Sequence, residues 1–354
     1  MKGILQLEDG KRFFGEASSE IELIGEVIFN TAVVGYQELM TDPVNAGKIL
    51  VLTYPLIGNY GINPKFNESK KTWIKALVIK EKSRIYSNWQ AKSSLDDFIK
   101  KNNLFLLHKV DTRSLMVDLR NKGEQLGIIS TSTFEPKILL AKIEAFKKSP
   151  KRSLLNQISV KKPLFLGKKG TKKIAILDLG ITQSILKQLE TLGFSLVIFP
   201  YSTSIQAMLK YKIKGLIISS GPEQDLGLEE VVKNIKSLIG RIPILGIGTG
   251  CQVLAEALGA KIIKLKLGHH GLNYPLARPA TYKGEITVQN HSYVIDTDSL
   301  NRIKEIKITG YNLNDRSVEE IESKKFKLIG VQYIPASPGF NEVNPILKRF
   351  VKML

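Results

Sequence analysis

From Ile174 onward, short apolar runs alternate with segments of helical spacing, and few folds tolerate that pattern. Ile174–Leu177, Leu196–Phe199, Gly215–Ser219 and Ile242–Ile247 are almost unbroken in apolar residues. Ile181–Leu192, Ile205–Tyr211 and Leu228–Ile239 separate them with helical periodicity, and Gln252–Leu258 begins a further helix. A strand that lacks polar alternation is covered on both faces. This half therefore predicts an α/β domain with a mainly parallel sheet sandwiched by helices. Ile286–Gln289 and Leu328–Gln332 read as later strands.

The first half carries a different pattern. Ile4–Leu7, Val27–Thr31, Val51–Tyr54 and Ala76–Ile79 read as strands broken by Gly and Pro. Leu95–Lys101 and Arg113–Lys122 have helical spacing. Asp111 and Thr112 are placed to cap the second helix, and Gly123 to end it. This is an α+β pattern. Between the halves, residues 146–173 hold ten Lys or Arg and no Asp or Glu, with Pro150, Pro163, Gly167 and Gly170 among them. A like-charged stretch with breakers reads as a solvated linker, or more boldly as a docking strip for an acidic partner. The expected organisation is an N-terminal α+β domain over 1–145, a basic linker over 146–173 and an α/β domain over 174–354. A length of 354 residues suits two domains, each large enough to bury its own core.

Composition narrows the function classes. The only cysteine, Cys251, precludes an intramolecular disulfide and a thiolate-based zinc site within one chain, and a lone cysteine suits a reducing compartment. Glu8 and Asp9 come too early for a secretory signal, and no run approaches about 18 apolar residues, so a cytoplasmic, membrane-free location is expected. The net charge of +19 suggests an acidic partner, but only ten of the 52 basic residues are arginine. Base-reading surfaces rely on arginine's bidentate fork, so nucleic acid is not the expected partner.

In an open parallel sheet, chemistry gathers at the carboxyl ends of strands, and three turns there stand out. Ser219-Ser220-Gly221-Pro222-Glu223 can present backbone N–H groups to an anion, though an ordinary loop reads the same. Gly246-Ile247-Gly248-Thr249-Gly250-Cys251-Gln252 has the strand–turn–helix form of a nucleophile elbow. It lacks the Gly-Lys-Ser/Thr of a phosphate-binding loop and the third glycine of a dinucleotide fingerprint. Its apex, Gly248, has no side chain. Gly330 to Gly339 ends a strand and should face the elbow, and its Ile334 offers no proton-transfer group. Of the histidines at 108, 269, 270 and 291, the adjacent pair His269–His270 would point to opposite sides of an extended segment. That makes a poor metal pair, so no metal site is expected, and His291 reads as a hydrogen-bonding loop residue.

These motifs, in order along nearly the whole chain, resemble the small, glutamine amidotransferase subunit of carbamoyl-phosphate synthase. The matching text runs through Gly25-Glu26-Val27-Ile28-Phe29-Asn30-Thr31, Gly35-Tyr36-Gln37-Glu38, Thr41-Asp42-Pro43, Leu52-Thr53-Tyr54-Pro55, Asp111-Thr112-Arg113 and Gly127-Ile128-Ile129-Ser130. It continues in Gly268-His269-His270-Gly271, Gln289-Asn290-His291 and Ala336-Ser337-Pro338-Gly339. The resemblance implies a class I glutaminase. An elbow cysteine attacks the glutamine amide, a histidine serves as acid and base, and a glutamate orients it. Ammonia then passes to a large subunit, which uses ATP and magnesium to make carbamoyl phosphate for arginine or pyrimidine synthesis. No cofactor is implied in the small chain itself, and the +19 charge would partly serve docking.

The resemblance fails at the chemistry. Gly248 stands where the family has its cysteine, Ile334 where it has histidine, and the glutamate is missing before Ala336. Cys251 falls at the histidine of the family's elbow motif. Of the family's glutamine pocket, Gly221, Gln252 and Asn290 remain, with Tyr293 in place of phenylalanine. Val44, Glu223, Thr249 and Ser292 replace a serine, a glycine, a leucine and a glycine. Cys251 lies about one helical turn past the apex, several ångströms from the attacking position. The expectation is a glutaminase-inactive subunit with a structural or regulatory role. The alternatives are an active site rearranged around Cys251, and a repurposed binding protein.

Overall fold

The computed structural model describes residues 1–150, 153–167, 172–279, 283–339 and 341–354. The chain divides into two compact units. The first is Met1–Lys151 with Lys266–His270, and the second is Arg152–Leu265 with Gly271–Leu354.

The first unit lays down strands β1 (Lys2–Leu7), β2 (Arg12–Ala17), β3 (Glu22–Asn30), β4 (Ile49–Leu52), β5 (Leu56–Ile57), β6 (Ala76–Val78), β7 (Glu81–Lys82), β8 (Phe105–His108) and β9 (Gln125–Ser130). Its helices are α1 (Tyr36–Thr41), α2 (Leu95–Lys101), α3 (Thr112–Lys122) and α4 (Pro136–Lys148). Strands β1-β2-β8-β6-β4-β3-β9 close into a barrel, while β5 and β7 pair separately. Side chains alternate across the pleat. Ile49 and Val51 of β4 therefore enter one buried cluster, with Leu5, Val27, Ala76 and Leu107, while Leu50 and Leu52 enter another, with Ile28, Leu77, Phe98 and Leu106. Local capping matches the sequence. The Ser94 and Asp97 side chains form a reciprocal box at the start of α2. The Asp111 side chain accepts from the Ser114 N–H, and Gly123 ends α3 at φ 103°.

The second unit contains α5 (Leu155–Ile158), β10 (Leu164–Leu166), β11 (Lys173–Asp178), α6 (Gln183–Thr191), β12 (Ser195–Pro200), α7 (Ile205–Leu209), β13 (Gly215–Ile218), α8 (Leu228–Lys236), β14 (Ile244–Ile247) and α9 (Thr249–Leu258). It continues through β15 (Ile262–Arg278), β16 (Lys283–Ile295), α10 (Thr297–Asn301), β17 (Lys307–Asn312), β18 (Val318–Ser323), β19 (Leu328–Val331) and α11 (Pro345–Val351). The sheet order is β10-β12-β11-β13-β14-β19-β18-β17-β15-β16. From β12 to β19 every pairing is parallel, and β10 and β18 attach antiparallel on either side. The apolar runs behave as their composition requires. Ala175 and Leu177 join one cluster with Val197, Leu216 and Ile218, and Ile174 and Ile176 join another with Leu196, Ile198 and Ile217. Each strand thus buries both faces. Strand order reverses between β11 and β13, which opens a crevice at the carboxyl ends.

The basic stretch departs from the linker expectation. Residues 146–148 finish α4, Leu155 is fully buried in a core cluster of the second unit, and β10 pairs with β12. Leu155 anchors α5 through its burial, whereas β10, with Leu164 and Phe165 exposed, is held by backbone pairing to β12. Residues 151, 152 and 168–171 of that stretch lie outside the described residues. No helix among the described residues is long and apolar enough to cross a membrane.

Candidate functional site

The elbow forms where β14 turns into α9. Gly248 has φ 55° and ψ −118°, a conformation glycine adopts freely and L side chains resist. Its N–H donates to the Val331 carbonyl at 2.8 Å, and its own carbonyl accepts from Cys251 N–H (2.9 Å) and Gln252 N–H (3.2 Å). A Cβ at 248 would stand 3.1 Å from Ser220 Cβ, so the Ser219–Glu223 loop lies directly over the apex. At Gly250 a Cβ would fall 2.1 Å from the Ile218 carbonyl oxygen, which is why the helix start can press so closely on β13. The glycines thus build the turn, and the apex presents backbone alone.

Cys251 does not reach the crevice. It is fully buried among Ala255, Val318 and Ile321, and a Cβ on Gly330 would come within 2.7 Å of its Sγ. Burial, reinforced by the charges of Glu319 and Glu320, pushes its thiol well above the ordinary range. A thiol held protonated in an apolar cluster is neither nucleophile nor base.

After β19 the chain is tied down through its backbone. Ile334 N–H donates to the Val288 carbonyl at 2.8 Å, and Ala336 N–H to the Ile334 carbonyl at 2.7 Å. Gln188 Nε2 donates to Pro335 O at 3.0 Å, and Asn344 Nδ2 to Ala336 O at 2.8 Å. Neither Ile334 nor Ala336 has a group that can move a proton. His291 lies within β16 rather than in a loop, because the long β15–β16 ribbon extends past the motif. It is buried, with Nδ1 3.0 Å from the Tyr293 carbonyl and Nε2 3.8 Å from Glu319 Oε1. In the first unit, Glu124 Oε1 accepts from the Gly268 N–H (3.0 Å) and lies 2.8 Å from His270 Nε2, a buried structural pairing. His269 is buried beside it in β15, and His108 lies at the end of β8 with Nε2 3.9 Å from Glu16 Oε2.

Glu223, Gln252, Ser292 and Tyr293 converge. The half-buried carboxylate of Glu223 accepts from Gln252 Nε2 (2.8 Å), Ser292 N–H (2.8 Å) and Tyr293 N–H (3.1 Å). Thr249 Oγ1 donates to the Gly221 carbonyl at 2.6 Å, strapping the same loop to α9. Gln252 Nε2 also donates to the Tyr293 carbonyl (3.0 Å), as does Gln332 Nε2 (3.1 Å). Asn290 is buried in β16 nearby in sequence. Val44 sits in a short 3-10 turn of the first unit, where its N–H donates to Asp42 Oδ1 at 3.0 Å. Sequence reasoning singled out Glu223 only as a lost glycine and missed Gln332 and Ser220. A carboxylate five residues beyond the end of β13, in the loop that faces the elbow, was the available signal.

A doubly covered parallel sheet with a glycine elbow at a strand end, and a carboxylate held by converging N–H groups beside it, puts the second unit in the class of α/β domains whose sites lie at the carboxyl ends of strands. The comparisons agree. The class I glutamine amidotransferase model matches residues 175–353, and that of the carbamoyl-phosphate synthase small chain matches residues 5–129. The carbamoyl phosphate synthase small chain of Aquifex aeolicus is 38% identical, covering 99% of this chain and 98% of its own length. That of Caldanaerobacter subterraneus is 39% identical over 100% and 97%. The pyrimidine-specific small chain of Bacillus subtilis is 36% identical over 100% and 96%. This chain belongs to the carbamoyl-phosphate synthase small-chain family.

Proposed function

We propose that this chain is a carbamoyl-phosphate synthase small subunit that has lost its own glutaminase chemistry and serves a large subunit as a structural or regulatory partner, with free ammonia as nitrogen donor. Family membership carries the coarse role, the small chain of a glutamine-hydrolysing synthase, and implies a large-subunit partner. The loss rests on one observation above others: the apex of the elbow is Gly248, so no atom stands where an attacking sulfur is needed. The replacement of proton-transfer side chains by Ile334 and Ala336 supports the same reading. Removing a nucleophile or its base costs roughly 10⁶ in rate in a triad enzyme. Near-attack geometry does not tolerate a shift of ~1 Å, and Cys251 points into an apolar cluster instead.

Reconstitution with the large subunit tests this directly. Carbamoyl phosphate should form with ammonia and not with glutamine. A glutamine-dependent rate that disappears in Cys251→Ala would overturn the proposal in favour of a rearranged site. A chain that does not associate with the large subunit at all would favour a repurposed binding protein.

A further inference from the structure

The pocket beside the elbow is built to hold a carboxylate, and it already holds one. Three N–H donors from two separate elements, Gln252 Nε2 on α9 and the backbone N–H groups of Ser292 and Tyr293 on β16, converge on the Glu223 side chain at 2.8–3.1 Å. Backbone donors so arranged favour an anion, and hydrogen bonds to a charged acceptor are about twice as strong as neutral ones. The loop that delivers the carboxylate is fastened independently by the Thr249–Gly221 hydrogen bond. Gln252 is further fixed through its second bond to the Tyr293 carbonyl, so its amide is oriented before any ligand arrives.

We propose that Glu223 is an internal ligand: its carboxylate occupies the subsite that would otherwise take the carboxylate of a free amino acid, and so bars L-glutamine from the pocket. This rests on the reading of the pocket given above but not on whether hydrolysis is lost. A free glutamine entering the wild-type site must first displace a carboxylate that the fastened loop holds in place. It would also take from that carboxylate the three N–H donors it holds in the folded chain. Glu223 is therefore a specificity-determining residue. It converts an amino-acid pocket into a fixed brace between the Ser219–Glu223 loop, α9 and β16.

The test is binding of L-glutamine to the full chain, wild type against Glu223→Ala. It is followed through the Ser292 and Tyr293 amide resonances, with chloride as the ionic control and acetate as a minimal carboxylate probe. Removing the tethered carboxylate should raise affinity for both probes by roughly 10- to 100-fold, the worth of one or two charge-assisted hydrogen bonds. Equal glutamine affinity in the two proteins, or no gain in Glu223→Ala, overturns the inference. Should Glu223→Ala not fold, Glu223→Gln supplies a second reading. Loss of the anionic acceptor should move both amide protons upfield, and unmoved resonances overturn the inference. Glutamine turnover on the same samples separates the two readings. Wild type that binds glutamine without hydrolysing it defeats only the internal-ligand proposal. Glu223→Ala that both binds and hydrolyses glutamine upholds it and defeats the loss of glutaminase chemistry.

Discussion

Giving the elbow apex a side chain should destabilise the second unit, and the structure sets the size of the effect. Gly248→Ala places a Cβ on a residue at φ 55°, ψ −118°. Such a conformation costs about 1–3 kcal/mol for an L residue. The reduced freedom of the unfolded chain returns about 0.4–1 kcal/mol. The new Cβ also sits 3.1 Å from Ser220 Cβ, so the loop above must give slightly. A net loss of about 1–2 kcal/mol follows. Gly259→Ala separates the two contributions: its φ is 101°, but nothing lies within 4 Å of its Cβ, so it bears backbone strain alone. Adding Ser220→Gly to Gly248→Ala should recover part of the difference, as coupling between touching residues requires. Urea unfolding of the full chain can localise the effect. Both tryptophans, Trp73 and Trp89, lie in the first unit, so fluorescence reports that unit while far-ultraviolet circular dichroism reports both. The dichroism transition should move to lower urea and the fluorescence transition should stay. A Gly248→Ala chain as stable as wild type would refute the argument that a side chain at this apex is strained.

Two further outcomes follow from buried ionisable groups. Cys251 is held protonated by burial, so at pH 8 a thiol-specific disulfide reagent should modify the native chain at least roughly 100-fold more slowly than the urea-unfolded chain. Prompt labelling of the native protein would contradict the buried placement. In the first unit, burial raises the Glu38 carboxyl from 4.5 to about 7, with Glu68 adding to the effect. Between those values the folded chain keeps a proton that the unfolded chain has released, so this contribution to stability is complete below about pH 4.5 and lost as pH rises through 7. The slope is at most about 1.4 kcal/mol per pH unit, and Glu38→Gln should flatten it in urea titrations followed by tryptophan fluorescence.

Much of the architecture was legible because burial on two faces leaves a plain mark. The runs at Ile174, Leu196, Leu216 and Ile244 all became parallel strands, and Asp111 and Gly123 set helix ends as their chemistry demands. Other elements were hidden. Leu164–Leu166 was masked by surrounding lysines, yet three residues suffice for an edge strand when a neighbour already offers its hydrogen bonds. Closure of β1, β2, β8, β6, β4, β3 and β9 into a barrel depends on pairings between residues far apart in the chain, such as Glu16 with His108, which no local pattern encodes. The candidate site divides in the same way. That Gly248, Ile334 and Ala336 carry no reactive group is a matter of residue identity. That Cys251 lies in an apolar cluster is a matter of where α9 turns it.

The sequence by itself determined which side chains exist at the elbow and its partner turn, because identity needs no coordinates. It also determined the parallel α/β class, because strand burial is written in composition. Only the tertiary structure decided that Glu223, Gln252, Ser292 and Tyr293 meet. They come from three places up to seventy positions apart, and hydrogen-bond geometry exists only once the sheet brings the carboxyl end of β13, the start of α9 and β16 to one point. What the sequence records as a lost glycine is therefore, in the folded chain, a gained ligand.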